Sequence, residues 1–396
     1  MKSAITIFMF LVLLSNGILF AEDERVIFSV WPSTNSQENP DIYGDIVIWQ
    51  ELISEYGDYD VIAADINKPS RPPFFNTNAP SDQTNPAIFE NHIVWQSLIE
   101  FEGSADWDIR MADISKPNEP AFYNITGYAG NNEQYPAIHG NIIVWEDGIS
   151  NYYDVYGADI TDPCYPMEFL VTNIDYDQGK PSIFRNTVVF EDFFYGDWDL
   201  YATDIWMRNK PKEHTIASYS HDQINPVISG DYIVWMDNFF GDWDIYAADI
   251  SDLDNPTEIS IAANTWDETN PDIDGNIIVW QARMNNNWDI FAYNMTTRQT
   301  YQITNDNNQQ INPAISGKTI VWQDNRSGDY QIYGTVLSDI EAAYCTQNLA
   351  ADINKDCKVD EEDYIIMASM WLECTLYPPE ACPITETTDI STPKPN

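Results

Sequence analysis

Basic residues and histidines are scarce in this sequence, and their scarcity narrows the range of possible functions. The 396 residues include only 18 Lys and Arg against 63 Asp and Glu, which gives a formal net charge of −45. A surface this negative repels phosphate backbones and anionic lipid, so nucleic acid is not expected as a partner. The same charge suits cations, basic proteins or neutral glycans. The four histidines are His92, His139, His214 and His221.

Familiar catalytic motifs are also absent, and long apolar runs are absent after the N-terminus. The chain contains no phosphate-binding loop, no Gly-x-Ser-x-Gly nucleophile elbow and no His-Glu-x-x-His zinc helix. After residue 21 no stretch is apolar enough to span a membrane, so no span is predicted in the mature chain. The sequence therefore predicts no catalytic residue, although its many carboxylates leave a glycoside hydrolase open as an alternative.

The one long apolar run is at the N-terminus. In MKSAITIFMFLVLLSNGILFAEDE a single Lys precedes the run, and acidic residues follow it. This pattern predicts a signal peptide over residues 1–21 and hence a secreted or cell-surface protein. Leu19 occupies a position at which signal peptidases prefer a small residue, so an uncleaved membrane anchor is the alternative.

The rest of the chain is dominated by seven copies of one unit. Each copy contains a string of the type NPAISGxxIVW, and the copies are spaced by 46, 50, 45, 45, 45 and 42 residues. The prolines of this string are Pro40, Pro86, Pro136, Pro181, Pro226, Pro271 and Pro313. Every unit holds four short strand signals and no helical period, which is typical of a β-propeller blade.

The order of the strand signals predicts how the ring closes. A fourth-strand signal precedes each proline, so the first one is RVIFSVW at residues 25–31, whereas the last copy ends after its third strand. The N-terminal strand should therefore complete the last blade and remove the exposed sheet edges. We expect an all-β, seven-bladed propeller over residues 22–340.

These repeats resemble the TolB-like (WD-repeat-like) β-propeller family. The resemblance depends on the Pro-x-Ile-x-Gly turn, the IVW strand and the WDIYAAD strand, and it covers roughly residues 25–340. It implies the propeller fold but says little about function, because the family includes binding proteins as well as a few enzymes.

Two residue types recur in nearly every blade. A large aromatic follows each proline by nine residues and is expected to pack between blades: Trp49, Trp95, Trp145, Phe190, Trp235, Trp280 and Trp322. An Asp opens the third strand in six blades: Asp60, Asp108, Asp154, Asp199, Asp244 and Asp289. We expect these carboxylates to accept hydrogen bonds from turn N–H groups, with a ring of cation sites as the alternative.

The repeat is least regular in the loops between the second and third strands. The interval from the aromatic to the Asp is nine residues in blades three to six but eleven in blade one and thirteen in blade two. Aromatic and acidic residues alternate here, a combination that stacks on sugar rings and binds their hydroxyls. The predicted binding residues are Tyr56, Asp58, Phe101, Asp106, Tyr195, Asp197, Phe240 and Asp242, and Phe193, Phe194 and Phe239 accompany them.

The C-terminal region is a separate module. Residues 352–363 read DINKDCKVDEED, which has the ligand spacing of a twelve-residue calcium loop, and the helical pattern EEDYIIMASMWLEC follows. Loop and helix resemble one repeat of a dockerin type I module over residues 345–383. That resemblance implies calcium as a cofactor, five side-chain ligands, a carbonyl ligand from Lys358 and docking to a cohesin-like or surface partner. The five side-chain ligands are Asp352, Asn354, Asp356, Asp360 and Asp363.

The module departs from the family in three ways. It has one loop where a dockerin has two, Cys357 stands at the position of the turn glycine, and Asp363 replaces the longer Glu. The last change should weaken calcium binding. The alternative for the loop is an Asp-rich helix start. Residues 384–396 are rich in Pro and Thr and are expected to be disordered.

Four of the five cysteines lie in this module, which in an exported chain indicates disulfides. A helix from about residue 361 to 374 separates its ends by roughly 20 Å, too far for Cys357 to reach Cys374. Pairing of Cys345 with Cys357 and Cys374 with Cys382 is the first choice. The second choice joins Cys345 to Cys374 and Cys357 to Cys382. Cys164 is left over as a loop thiol.

Together these features favour an exported, non-catalytic recognition or scaffold protein. Its propeller would bind a carbohydrate or an extracellular protein, and its calcium module would attach it to a partner or surface. The rival hypothesis is a polysaccharide-degrading lyase or glycoside hydrolase on the propeller.

Overall fold

The computed structural model confirms the all-β propeller. It describes residues 25–338 except 54, 56, 102–103, 118, 128–130, 149–151, 173–175, 195 and 208–211. The strands form seven antiparallel four-stranded sheets, and we number the blades from the one that contains β2. The N-terminal residues 1–24, the predicted module at 345–383 and the tail at 384–396 lie outside the described residues.

Each blade is a meander that runs outward from the centre of the ring. The first strands are β2 (Gln37–Tyr43), β6 (Gln83–Phe89), β10 (Glu133–His139), β14 (Gln178–Phe184), β18 (Gln223–Ser229), β22 (Glu268–Asp274) and β26 (Gln310–Ser316). The second strands are β3 (Ile46–Ile53), β7 (His92–Phe101), β11 (Ile142–Asp147), β15 (Thr187–Asp192), β19 (Tyr232–Asp237), β23 (Ile277–Met284) and β27 (Thr319–Asp324).

The outer half of each blade consists of a largely buried third strand and a short fourth strand that is more exposed in most blades. The third strands are β4 (Asp58–Asp65), β8 (Ser104–Asp113), β12 (Asp154–Asp159), β16 (Asp199–Asp204), β20 (Asp244–Asp249), β24 (Asn287–Asn294) and β28 (Gln331–Val336). The fourth strands are β5 (Phe75–Asn76), β9 (Ala121–Asn124), β13 (Met167–Leu170), β17 (Glu213–Ala217), β21 (Thr257–Ala262), β25 (Gln299–Gln302) and β1 (Phe28–Ser29).

The ring closes as the sequence predicts. β1 pairs with β28, with Phe28 opposite Gly334 and Ser29 opposite Tyr333, and the Val30 N–H donates to the Ile332 carbonyl at 2.9 Å. The seventh blade therefore combines the first strand of the chain with the last three, so that no blade is left with three strands and an open edge.

The recurrent aromatics form the core between blades, as predicted. Trp49, Trp145, Phe190, Trp235 and Trp322 are fully buried. The seven buried apolar clusters each join residues of two neighbouring blades; Trp322 of blade seven, for example, packs with Val279 and Ile290 of blade six. The alternation of buried and exposed residues along each strand thus produces one layer of core per blade interface.

Two faces and a central channel result from this meander. The upper face carries the connections from second to third strands and from each fourth strand to the next blade, and the lower face carries the other hairpins. All seven first strands line the channel, which has a volume of about 510 Å³. The described residues include one 3₁₀ turn (Ile205–Met207) and no helix long and apolar enough to cross a membrane.

Candidate functional site

The predicted binding residues of the upper face are distributed over four blades. Tyr56 and Tyr195 lie outside the described residues, and the side chain of Phe101 is outside them too. Asp58 lies in β4 with only 9% of its surface exposed. Asp106, Asp197 and Asp242 are half-buried, whereas Phe240 is 71% exposed.

Exposed aromatic side chains form a row along the upper face from blade three to blade five. We call them the upper aromatic row. In blades three and four the ring centroids are 6.5 Å apart for Tyr152 and Tyr176 and 4.7 Å apart for Tyr176 and Phe194; in blade five Phe239 and Phe240 form a second pair at 4.7 Å. Loops, not strands, carry these rings, and this explains why they stay exposed. The members of the row are Tyr152, Tyr176, Phe193, Phe194, Phe239 and Phe240.

The row ends at a pocket on blade five, which we call the blade-five pocket. Its volume is about 270 Å³, and aromatic and acidic side chains line it. Of the sequence-predicted residues it contains Phe240 and its neighbour Phe239. The full lining is Tyr219, His221, Asp237, Phe239, Phe240, Tyr246 and Glu258.

One wall of the pocket is a stack of rings. Tyr219 lies parallel to His221 with an interplanar angle of 8° and 5.5 Å between centroids. His221 in turn contacts Phe239 at 5.0 Å, and Phe239 meets Phe240 edge-on at 4.7 Å. The backbone of Tyr219 and His221 forms an isolated bridge, so a short tight turn after β17 sets this stack in place.

Two carboxylates complete the pocket, and each has a ring partner. His221 Nε2 lies 2.8 Å from Asp237 Oδ1, and Asp237 is buried at the end of β19. The Tyr219 hydroxyl donates to Glu258 Oε2 at 2.8 Å. This bond raises the pKa of Tyr219 to about 12, so the phenol remains protonated at neutral pH and continues to donate.

The sequence identified only part of this pocket. The sequence predicts Phe239 and Phe240 on the upper face, and it contains His221 as one of only four histidines. Tyr219, Tyr246 and Glu258 were missed, because Tyr219 and Glu258 are 39 residues apart: Tyr219 lies in the connection between β17 and β18, and Glu258 lies in β21. The available signal was the irregular string SYSHD, which interrupts the repeat before Pro226.

The recurrent Asp at the start of the third strand has different partners in different blades. In blade one, Asp60 Oδ1 accepts hydrogen bonds from the Thr77 hydroxyl at 2.7 Å and the Ala79 N–H at 2.9 Å, which is the turn role expected from the sequence. In blades four and five, the buried oxygens of Asp199 and Asp244 have no hydrogen-bond partner among the described residues. Burial and the neighbouring Asp242 raise the pKa of Asp244 to about 6.

Metal ligands are not grouped in the part of the chain that the structure describes. No set of three or more His, Cys, Asp or Glu side chains is arranged there to hold a metal ion. The predicted calcium ligands Asp352, Asn354, Asp356, Lys358, Asp360 and Asp363 lie outside these residues. So do Cys345, Cys357, Cys374 and Cys382, whereas Cys164 is exposed and unpaired by disulfide within the described chain.

No protein-family model and no curated protein sequence matches the chain. Solved structures do share its fold. A puromycin-hydrolysing peptidase from Mycobacterium tuberculosis has 12% identity and a TM-score of 0.56, and the match covers 76% of this chain and 52% of the peptidase. The chain thus spans about half of that protein's length.

Two further structures are of propeller length. An oligogalacturonate lyase from Vibrio parahaemolyticus has 10% identity and a TM-score of 0.59, with coverage of 81% of this chain and 96% of the lyase. A putative TolB from Agrobacterium tumefaciens has 12% identity and a TM-score of 0.45, with coverage of 67% and 94%. At such identities the likeness is one of fold, and one propeller fold serves several functions.

Proposed function

We propose that this protein is an exported recognition protein whose upper face binds a neutral glycan. The observation that carries the proposal is the upper aromatic row, which leads into the blade-five pocket with its two carboxylates. Aromatic rings stack on the apolar faces of sugars, while carboxylates accept hydrogen bonds from their hydroxyls. A net charge of −45 disfavours an anionic polymer at the same surface.

The pocket gives each side chain a distinct task. Phe240, the most exposed ring of the row, offers a platform for a sugar ring at the entrance. Glu258 and Asp237 present acceptor oxygens inside, and their bonds to Tyr219 and His221 fix their orientation. A side chain held in one rotamer loses less entropy when a ligand binds, so this arrangement favours affinity.

The test is binding of neutral polysaccharides to the full chain by glycan array and calorimetry. The double variant Phe239→Ala/Phe240→Ala should weaken binding at least tenfold, because stacking on each ring contributes about 1 kcal/mol or more. Tyr165→Ala is the matched control: Tyr165 is 78% exposed but lies on the lower face, so affinity should not change. Retained affinity in the double variant, or binding only to proteins, would contradict the proposal.

A second candidate function, a polysaccharide lyase or hydrolase, is favoured by the contact between His221 and Asp237. A buried carboxylate that orients an imidazole is the arrangement of a general base. Reducing-sugar release and the absorbance of unsaturated products measure such activity. Turnover that is lost in His221→Ala but kept in Tyr165→Ala would favour the enzyme over the recognition protein.

We further propose that calcium folds the C-terminal module and that the module attaches the propeller to a surface or cohesin-like partner. The support is the ligand spacing of residues 352–363 and the dockerin resemblance. Calorimetry on the full chain should show calcium binding that Asp356→Ala abolishes, because this removes a central ligand. Asp252→Ala, in an acidic turn of the propeller, is the control. Equal heats for all three proteins would refute the calcium site.

A further inference from the structure

A ring of seven side chains surrounds the central channel at one level. Each follows from the same irregularity, a β-bulge in the first strand where the residue before the proline has a positive φ between 47° and 59°. Asn is the side chain that most readily adopts this conformation after Gly, and five blades use it. We call these residues the channel ring: Asn39, Asn85, Tyr135, Lys180, Asn225, Asn270 and Asn312.

The backbone of the channel ring ties neighbouring blades together. The N–H of each ring residue donates to a side chain on the second strand of the preceding blade. Asn85, for example, donates to Gln50 Oε1 at 3.0 Å, and Asn312 donates to Gln281 Oε1 at 2.7 Å. Because all seven blades keep this bond, the backbone part of the ring is structural.

The asparagine side chains form a directed hydrogen-bond chain. Asn270 donates to Asn312 at 2.5 Å, Asn312 to Asn39 at 3.2 Å, and Asn39 to Asn85 at 3.3 Å. Asn225 starts the chain by donating to Asn270 at 3.4 Å. In each case the donor lies one blade before the acceptor, so four hydrogen bonds link the five asparagines of the ring.

Blades three and four interrupt this chain. Lys180 extends over the ring of Tyr135, with its ammonium 3.8 Å from the centroid, and it forms no ion pair with any described residue. At one end of the gap, the Asn85 amide donates only to Gln96 within its own blade. At the other end, Asn225 Oδ1 accepts no hydrogen bond from the described residues. The four residues Asn85, Tyr135, Lys180 and Asn225 all line the channel, and we call them the channel gap.

For two residues of the gap, the second-strand side chain that accepts the N–H of the ring residue is a carboxyl group, whereas for the other ring residues it is an amide or a thioether. Glu146 accepts the Lys180 N–H at 3.2 Å, and Glu191 accepts the Asn225 N–H at 2.6 Å. Gly179 lies against the Glu146 carboxylate, and a Cβ there would come within 2.4 Å of Glu146 Oε2, so that the side chain would have to shift. The repeat therefore changes at five neighbouring positions together: Tyr135, Glu146, Gly179, Lys180 and Glu191.

We propose that the channel gap is a second binding site, which takes a hydroxyl-bearing neutral ligand such as a single sugar residue. The gap presents donors on Asn85, Tyr135 and Lys180 but an acceptor on Asn225, and a hydroxyl group can satisfy both kinds at once. A ligand carboxylate could only accept hydrogen bonds, so it could not pair with the acceptor on Asn225. Glu146 and Glu191, which already face the Lys180 charge, also make an anion unfavourable there.

The ligand class extends the proposed glycan recognition, but the site is separate from the blade-five pocket. The channel is large enough for a monosaccharide, since pockets for small ligands begin at roughly 300 Å³. One glycan could place its end in the channel and a more distant sugar residue on the upper aromatic row. Because the two sites would then bind one tethered ligand, the overall affinity would exceed that of either site.

The experiment is saturation-transfer NMR on the full chain with glucose, galactose and mannose. The double variant Tyr135→Asn/Lys180→Asn gives the gap the residue of the other five blades, so it should fold like the parent. In the Phe239→Ala/Phe240→Ala background, the binding that remains should belong to the channel. Adding the gap substitutions there should weaken it at least tenfold.

The outcomes separate the two proposals. If the Phe239→Ala/Phe240→Ala protein binds no monosaccharide, the channel site is refuted while glycan recognition by the upper face stands. If its residual binding survives Tyr135→Asn/Lys180→Asn, the assignment to the gap is wrong. If Tyr135→Asn/Lys180→Asn weakens monosaccharide binding and Phe239→Ala/Phe240→Ala leaves it unchanged, the channel site stands and the upper-face proposal fails.

Discussion

Single residues decide how this repeat departs from sevenfold symmetry, and Glu191 is the clearest case. It is 7% exposed, and burial is the main cause that raises its pKa to about 7. The bond it accepts from the Asn225 N–H lowers the pKa but does not offset burial. Gln at the same position in four other blades makes the same kind of bond without a charge, so ionised Glu191 costs stability.

We predict that Glu191→Gln stabilises the protein at pH 8 by about 1–2 kcal/mol, since each unit of pKa shift corresponds to about 1.4 kcal/mol. Near pH 4 the gain should largely vanish, because Glu191 is then protonated in the folded state and mostly protonated in the unfolded state. Urea midpoints at the two pH values measure this. The reciprocal change Gln50→Glu should destabilise the protein at pH 8. If Glu191→Gln stabilises the protein equally at both pH values, the burial argument is contradicted.

At the scale of the element, two residues of β1 hold the ring closed. Phe28 packs into the cluster shared by blades one and seven. It also lies against Gly334, where a Cβ would come within 2.9 Å of the Phe28 ring. β1 is only two residues long. The packing of the Phe28 ring therefore adds to the few hydrogen bonds that hold the strand in blade seven. The hydrogen bond from Val30 to Ile332 extends the closure by one residue.

We predict that Phe28→Ala lowers the free energy of unfolding by about 2 kcal/mol, less than for a fully buried Phe because its ring is only partly covered. Thermal unfolding should also begin at a lower temperature. Val26→Ala is the control, since Val26 is 80% exposed and should change stability by less than about 0.5 kcal/mol. Equal effects of the two substitutions would show that β1 does not hold the ring.

At the scale of the whole molecule, many carboxyl groups are buried in a protein of net charge −45. Burial raises the pKa of Asp41 to about 7 and that of Glu133 to about 8, and Asp147 adds to the second shift. Each such group binds its proton more tightly in the folded than in the unfolded state. Folding is therefore coupled to proton uptake above the ordinary carboxyl pKa of about 4.

We predict that stability falls as pH rises from about 4 to about 9, because the buried carboxyl groups lose their protons over this range in the folded state. The sign follows because the folded state binds more protons than the unfolded state throughout this window. Urea midpoints measured from pH 5 to 9 test it. In 0.5 M NaCl the surface repulsion is screened, so the dependence that remains reports the buried groups. A midpoint that rises with pH would contradict the prediction.

The sequence on its own determined the blade count, the closure by the N-terminal strand and the burial of the recurrent aromatics such as Trp235. It could do so because each of these depends on local patterns: turn residues, alternation of period two, and repetition at a fixed spacing. It also indicated that Phe239 and Phe240 would be exposed, since loops on one face carry them.

Only the tertiary structure decided which residues meet. Tyr219 and Glu258 come together in the blade-five pocket, and Asn85 and Asn225 face the same gap in the channel, although long stretches of chain separate them. It also decided that Asp58, a predicted binding residue, is buried while its counterparts in other loops are not. Such contacts depend on how strands register and how blades close around the ring, and spacing along one chain does not encode them.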